Sequence, residues 1–335
     1  MFVKFARHPS IYTLVLCCMS LLWPYTAIAL PLLQDSVKHS AAETTAAPAT
    51  PNTLGKYRDY TAAKKRNSRY ALSKASRNIE KNLSARSAIV IDAKSAETLF
   101  ARDPDTPRQP ASTIKILTAM IALKSLDGKE RVPISKKAAR QPSSKIYLDQ
   151  HKKYLVDDLI NAVLLSSAND ASVALAEKIA GSEKSFAKMM TLRAKLWGAP
   201  KTVCKTATGL TARGQRSTSR DLAVIFKHAM EDKEFADRMR RTKARTTGGK
   251  LLRNHNKALW RVEGAEGGKT GYTNAARQTY VGKFKRGNDE IIIAIMGSER
   301  MWSDLNQLVE FGFRKKQVIA AEQQQSNGIQ VAGLD

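Results

Sequence analysis

Cysteine is nearly absent, with three in 335 residues, and two of these are the adjacent Cys17 and Cys18. So few exclude a disulfide scaffold. Histidine is as scarce, with five in the chain. No Cys/His pair stands at metal-ligand spacing, so no metal or cofactor is expected, and His151, His228 and His255 read as ordinary surface or core residues. Acidic residues are the third shortage: 30 Asp+Glu against 56 Lys+Arg leave a formal charge of +26. A chain this basic should meet something anionic, whether nucleic acid, an acidic membrane face or an acidic polymer. Long apolar runs are missing as well. The uncharged stretch Ile11 to Trp23 falls short of the ~20 residues that span a bilayer. What remains is ordinary for a globular protein, 43% hydrophobic and 26% charged, which excludes wholesale disorder.

The start of the chain reads as an export signal over 1–29. Lys4 and Arg7 form a positive n-region, Ile11 to Trp23 an apolar h-region, and Ala27-Ile28-Ala29 a small-residue cleavage site. A retained N-terminal anchor is the alternative. Cleavage would remove Cys17 and Cys18 and leave Cys204, read as a buried, inert thiol. An exported chain belongs in the periplasm or cell-wall space, away from nucleic acid, and would carry no transmembrane helix after cleavage.

Residues 30–87 read as a linker, rich in Ala, Thr and Pro at first. From Lys56 to Ser87 it carries ten Lys/Arg against Asp59 and Glu80, a solvated arm or loose helix that could hold an anionic envelope polymer. Patterned sequence fills 88–314. Ala88–Asp92 and Glu97–Phe100 predict a short hairpin. Helical spacing follows at Ile114–Leu126, Leu155–Leu165, Ala171–Ile179, Phe186–Leu196 and Leu222–Met230. Arg277–Lys285 and Glu290–Met296 predict strands, and Ser303 to about Phe313 a last helix before a tail at 315–335. Strands at both ends with helices between them predict an α+β domain in which the hairpin joins the late strands in one antiparallel sheet.

Three short motifs carry chemistry. Ser112-Thr113-Ile114-Lys115 puts a serine and a lysine on one helical face. A desolvated lysine beside another cation loses its proton and can take one from the serine hydroxyl. Ser167-Ala168-Asn169, between two helical stretches, would aim a hydroxyl and an amide at that serine. Lys269-Thr270-Gly271 on an edge strand would supply a fixed cation, a hydroxyl for a carboxylate and room for a substrate backbone. Each motif alone is weak: Ser185/Lys188 and Ser76/Asn78 repeat the first two spacings. In this order they resemble the active-site triple of penicillin-binding proteins and class A β-lactamases, with Ser-Ala-Asn standing where Ser-Asp-Asn is the type.

The chain resembles the serine D-alanyl-D-alanine carboxypeptidases, the low-molecular-mass penicillin-binding proteins, from about Ala88 to Arg314. Pro110–Lys115, Ser167–Ala176, Gly209-Leu210, Ser219–Ala223 and Gly268–Ala276 carry the likeness. The resemblance implies the fold shared with β-lactamases, an antiparallel sheet with helices on both sides and an α-helical cluster. It implies an acyl-enzyme on Ser112 with Lys115 as base, Ser167 relaying a proton to the leaving amine, and Asn169 positioning the substrate amide. Lys269 and Thr270 would hold the terminal carboxylate, with the Ser112 N–H and one from the strand after Gly271 as oxyanion hole. The implied partners are peptidoglycan D-Ala-D-Ala peptides and covalent β-lactam inhibitors.

The sequence departs from the pattern at three points. Ala168 replaces a usual glycine. Arg277 replaces another, where it either contacts a carboxylate or faces solvent. The stretch after Arg314 is too short for the second β domain of longer members. Carboxypeptidase and cross-link-cleaving endopeptidase both remain open, because both use the same residues. A β-lactamase is disfavoured, since no Glu-x-x-Leu-Asn is present to activate a deacylating water. Finally, nine Lys/Arg between Asp237 and Glu263 meet no acid. They read as a solvated face near a cleft for anionic cell-wall polymer, with only salt-sensitive, sequence-blind nucleic-acid binding expected.

Overall fold

The computed structural model describes residues 51–331. The expected signal segment 1–29 and the first part of the linker lie outside the described residues. In chain order, α1 (Pro51–Asn82) leads into the hairpin β1 (Ser87–Asp92) and β2 (Thr98–Arg102). A 3-10 turn, Ala111–Ile114, opens α2 (Lys115–Ser125). There follow β3 (Arg131–Pro133), α3 (Lys136–Ala139), β4 (Lys153–Leu155), α4 (Val156–Leu165), α5 (Asn169–Ala180) and α6 (Glu183–Leu196). Next come α7 (Ser219–Glu231), α8 (Lys233–Met239), the short hairpin β5 (Lys243–Arg245) and β6 (Leu251–Arg253), and α9 (Ala258–Arg261). The chain then returns to the sheet as β7 (Ala265–Thr273), β8 (Arg277–Arg286) and β9 (Asp289–Ser298), and continues into α10 (Met301–Val331).

The main sheet is antiparallel, five-stranded and ordered β2-β1-β9-β8-β7, so the early hairpin does pair with the late strands, through β1 and β9. Both faces are covered, which is why β1 and β9 read as unbroken apolar runs. Alternate side chains go to opposite faces. Ile89, Ile91, Ile292, Ala294 and Met296 join the helical cluster of α2 and α4–α8, whereas Val90, Ile291, Ile293 and Ile295 pack toward α10 and the end of α1. The helix α2 is buried at every position from Lys115 to Ala122, as suits the central helix of a cluster. Cys204 is buried beside it, and burial pushes its thiol up to about 12. No helix among the described residues is long and apolar enough to cross a membrane.

The basic stretch before residue 87 takes the helical form of the two expected, but its last turns are core rather than solvated: Leu72 and Ala75 are partly buried against the sheet, and Ile79 and Leu83 are buried outright. The spacing of Leu72, Ala75, Ile79 and Leu83 puts them in one stripe along the end of the helix, while Arg66, Arg69, Lys74, Arg77 and Lys81 lie off it. The last helix overruns Phe313 through the expected tail to Val331. Its start is pinned by the buried Asp304, which accepts Ser84 N (3.0 Å), Ser84 Oγ (2.7 Å) and Ser298 Oγ (2.6 Å) in the first turn, where the helix dipole favours an anion.

Candidate active site

Ser112 sits in the 3-10 turn ahead of α2, after Ala111, whose φ of +50° is a region alanine rarely adopts. The turn is held by one carbonyl. Pro110 O accepts Thr113 Oγ1 at 2.6 Å and, from β8, Thr279 Oγ1 at 3.0 Å. Lys115, one turn on, is fully buried. Its Nζ lies 2.9 Å from Ser112 Oγ, 2.7 Å from Asn169 Oδ1 and 2.5 Å from Thr208 O. No carboxylate touches it. Burial first and the Lys269 cation second hold its pKa well below the usual lysine range.

Ser167 occupies the turn between α4 and α5 at φ +56°, a sparsely populated conformation that turns its hydroxyl inward. Its Oγ accepts Lys269 Nζ at 3.0 Å. Lys269 is itself buried in the edge strand β7, and burial brings its pKa down to about 7. Asn169 opens α5. Its side chain donates to Pro142 O (2.9 Å) and its backbone N–H to Ser144 O (2.7 Å). Beside it the buried Asp170 carboxylate accepts the N–H groups of Ile146 and Leu148, each at 3.1 Å. The loop over Asn169 is thereby tied to the helix start.

Both serines, with Asn169, Thr270 and Gly271, line one open cleft of about 470 Å³, and Lys115 and Lys269 stand behind them. Among the described residues, no acidic side chain lines it. Arg277 lies apart: at φ +56° on entry to β8, its guanidinium is bidentate to Glu299, at 2.8 Å for both bonds. Its carboxylate contact in this structure is therefore internal.

The structure adds residues that the sequence reading passed over. Ser143, Ser144, Gln278, Met301 and Trp302 line the cleft without a motif to announce them, and Tyr272 joins them from within the Gly268–Ala276 motif. His255, taken above for an ordinary residue, also lines it, and desolvation, then Lys269 and Lys115, hold its pKa below the usual imidazole value. No local pattern marks it: His255 N donates to Leu165 O (3.1 Å), two residues before Ser167, a bond between segments far apart in sequence.

Comparison with known proteins agrees with this geometry. Residues 73–300 match the family Peptidase S11, D-alanyl-D-alanine carboxypeptidase. The D-alanyl-D-alanine carboxypeptidase DacB2 of Mycobacterium tuberculosis is 36% identical over 240 residues, covering 68% of this chain and 82% of that one. DacF of Bacillus subtilis is 31% identical, and the match spans 68% of this chain but only 62% of the relative. Among solved structures, penicillin-binding protein D2 of Listeria monocytogenes in its ampicillin-bound form is similar with a TM-score of 0.64 at 28% identity, over 69% of this chain and 98% of that one. The chain belongs to the D-alanyl-D-alanine carboxypeptidase family of serine peptidases.

Proposed function

We propose that the chain is an exported, penicillin-sensitive D-Ala-D-Ala carboxypeptidase that trims peptidoglycan stem peptides in the periplasm or cell-wall space. The observation that carries this reading is the buried Lys115 Nζ, 2.9 Å from Ser112 Oγ with no carboxylate to neutralise it. In the neutral amine two N–H bonds serve Asn169 Oδ1 and Thr208 O, and the lone pair is left facing the Ser112 hydroxyl.

On this reading Lys115 takes the Ser112 proton as Oγ bonds to the carbonyl carbon of the penultimate D-Ala. The developing oxyanion is met by the Ser112 N–H and the strand amide that follows Gly271. Lys269 and Thr270 hold the terminal carboxylate in a cleft that offers it no competing acid. The C–N bond then breaks, and the Ser167 hydroxyl, backed by Lys269, passes its proton to the departing D-Ala amine and is refilled with the proton held by Lys115, which returns that amine to its neutral form. Water then attacks the acyl ester, giving a proton to Lys115, and Lys115 passes it to Ser112 Oγ as the ester bond breaks. Arg277 enters this scheme only if it releases Glu299.

No carboxylate among the described cleft-lining residues is placed to activate water against a penicilloyl ester, which supports a slow release of penicillin. Intact-mass spectrometry after brief exposure to benzylpenicillin tests the reading. A single stable adduct on the wild type, absent from Ser112→Ala, is expected, together with D-Ala release from a D-Ala-D-Ala peptide. A rapidly lost adduct would indicate a β-lactamase, and no adduct would overturn the mechanism.

A further inference from the structure

The hairpin β5–β6 gathers positive charge in an arrangement that costs energy unless an anion relieves it. Its register places Lys243 directly opposite Arg253, and Arg245 opposite Leu251, with all four side chains exposed on one face. Like charges in facing positions of an antiparallel pair repel. A second crowding lies alongside. Lys145 and Lys250 approach the same Tyr147 ring, at 5.3 and 5.2 Å from its centroid, and that ring is 70% exposed. Lys250 Nζ also donates to Ile146 O, which binds the hairpin to the 143–148 loop.

None of these cations meets a carboxylate among the described residues, although cations just outside the patch do. Lys233 pairs with Asp237, Arg240 with Asp237 and Glu266, and Lys283 with Glu266 and Glu290. Two buried carboxylates touch the same segments, Asp158 at Thr247 and Asp170 at Ile146 and Leu148, but both are engaged by these backbone and hydroxyl donors and are outnumbered by the five cations, so a net positive field remains beside the cleft.

Both sides of the patch run into the cleft. Lys145 follows Ser143 and Ser144, which line it. Arg253 O accepts Ser166 Oγ at 3.4 Å, next to Ser167, and the chain continues from Arg253 into the lining residues His255 and Lys257. Tyr147 and Leu251 supply apolar surface between the charges.

We propose that the β5–β6 hairpin and the Lys145–Tyr147 loop form an anion-binding wall that reads carboxylates carried by the peptide substrate beyond its D-Ala-D-Ala end. The proposal rests on the D-Ala-D-Ala reading above. It makes the enzyme selective for acidic peptides, with binding that weakens as salt screens the exposed charges.

The test uses two fluorescent peptides of equal length ending in D-Ala-D-Ala, one with two glutamates ahead of that end and one with two glutamines. Their affinities are measured by anisotropy on full-length Ser112→Ala protein, so turnover is not needed. We expect about tenfold tighter binding of the glutamate peptide at 20 mM salt, reduced to within about twofold at 0.5 M salt. Adding Lys243→Gln, Arg245→Gln and Arg253→Gln should remove most of that preference while leaving the glutamine peptide's affinity within about twofold. Equal affinities in the Ser112→Ala protein, or a preference that survives the triple change, would overturn the wall. D-Ala release by the wild type is scored separately. A preference without release would keep the wall and overturn the carboxypeptidase reading, and release without a preference would do the reverse.

Discussion

Gly271 on β7 stands so close to the catalytic turn that a Cβ added there would lie 2.7 Å from the Ser112 backbone nitrogen and 2.6 Å from Thr279 Oγ1. The same two partners govern the oxyanion amide and the Thr279 bond that holds Pro110 O. The absence of a side chain at 271 therefore sets the distance between the sheet edge and Ser112.

Gly271→Ala should push the Ser112 turn away from β7. Acylation by a fluorescent penicillin is expected to slow by about 10²–10³-fold, the scale of losing one oxyanion donor. A melting temperature within a few degrees of wild type would separate this from unfolding, and an unchanged acylation rate would refute the close approach.

The two buried lysines predict the pH profile. Burial, then the neighbouring Lys269 cation, holds Lys115 well below the usual lysine range, and burial brings Lys269 to about 7, where it is partly protonated. Acylation in the free enzyme needs Lys115 without its proton and Lys269 with one, so kcat/KM should fall as pH rises through about 7 and fall again in acid. A stopped-flow profile flat from pH 6 to 9 would contradict this assignment. Lys115→Gln should lose acylation by about 10³-fold or more, with no pH at which it recovers.

Lys269 also leaves a mark on stability. Its folded pKa of about 7 lies below the unfolded lysine value of about 10.4, so the native state binds fewer protons between those limits and stability rises with pH there. Below pH 7 both states are protonated, and the folded protein carries the full cost of a buried cation. Lys269→Met should therefore be more stable than wild type by the largest margin at pH 6, with the margin shrinking toward pH 10. Urea unfolding at pH 6, 8 and 10 reads this directly.

Asp170 ties the cleft loop to α5 through Ile146, Leu148 and its neighbour Ala171. Asp170→Asn replaces a full acceptor with one that also donates, leaving a buried N–H group unpaired. A loss of about 1–3 kcal/mol in denaturant unfolding is expected. Hydrogen exchange should quicken at residues 144–148, and uniform protection across that loop would count against the tie.

Much of this architecture was legible because burial on two faces leaves a plain signature. The runs in β1 and β9, the spacing of Ser112 and Lys115, and the position of Lys269 on an edge strand all follow from local pattern. The packing of α1 was also written in the chain, at Leu72, Ala75, Ile79 and Leu83, but the cations on its other faces obscured a stripe of four. His255 and Ser144 had no such trace. They reach the cleft through backbone bonds to Leu165 and Asn169, which join segments far apart in sequence. Arg277 was readable only as a charge at a turn, and its partner Glu299 became apparent once β8 and the end of β9 lay side by side.

The buried Cys204 has a use that its chemistry conceals. Its thiol, held up to about 12 and sealed from solvent, cannot meet an alkylating reagent while the fold is closed. It lies four residues before Thr208, whose carbonyl holds the Lys115 amine. The rate at which Cys204 becomes labelled in native buffer, followed by site-resolved mass spectrometry, thus counts how often the wall behind Lys115 opens. The molecule carries its own clock for breathing of the active site, and a bound β-lactam should slow it.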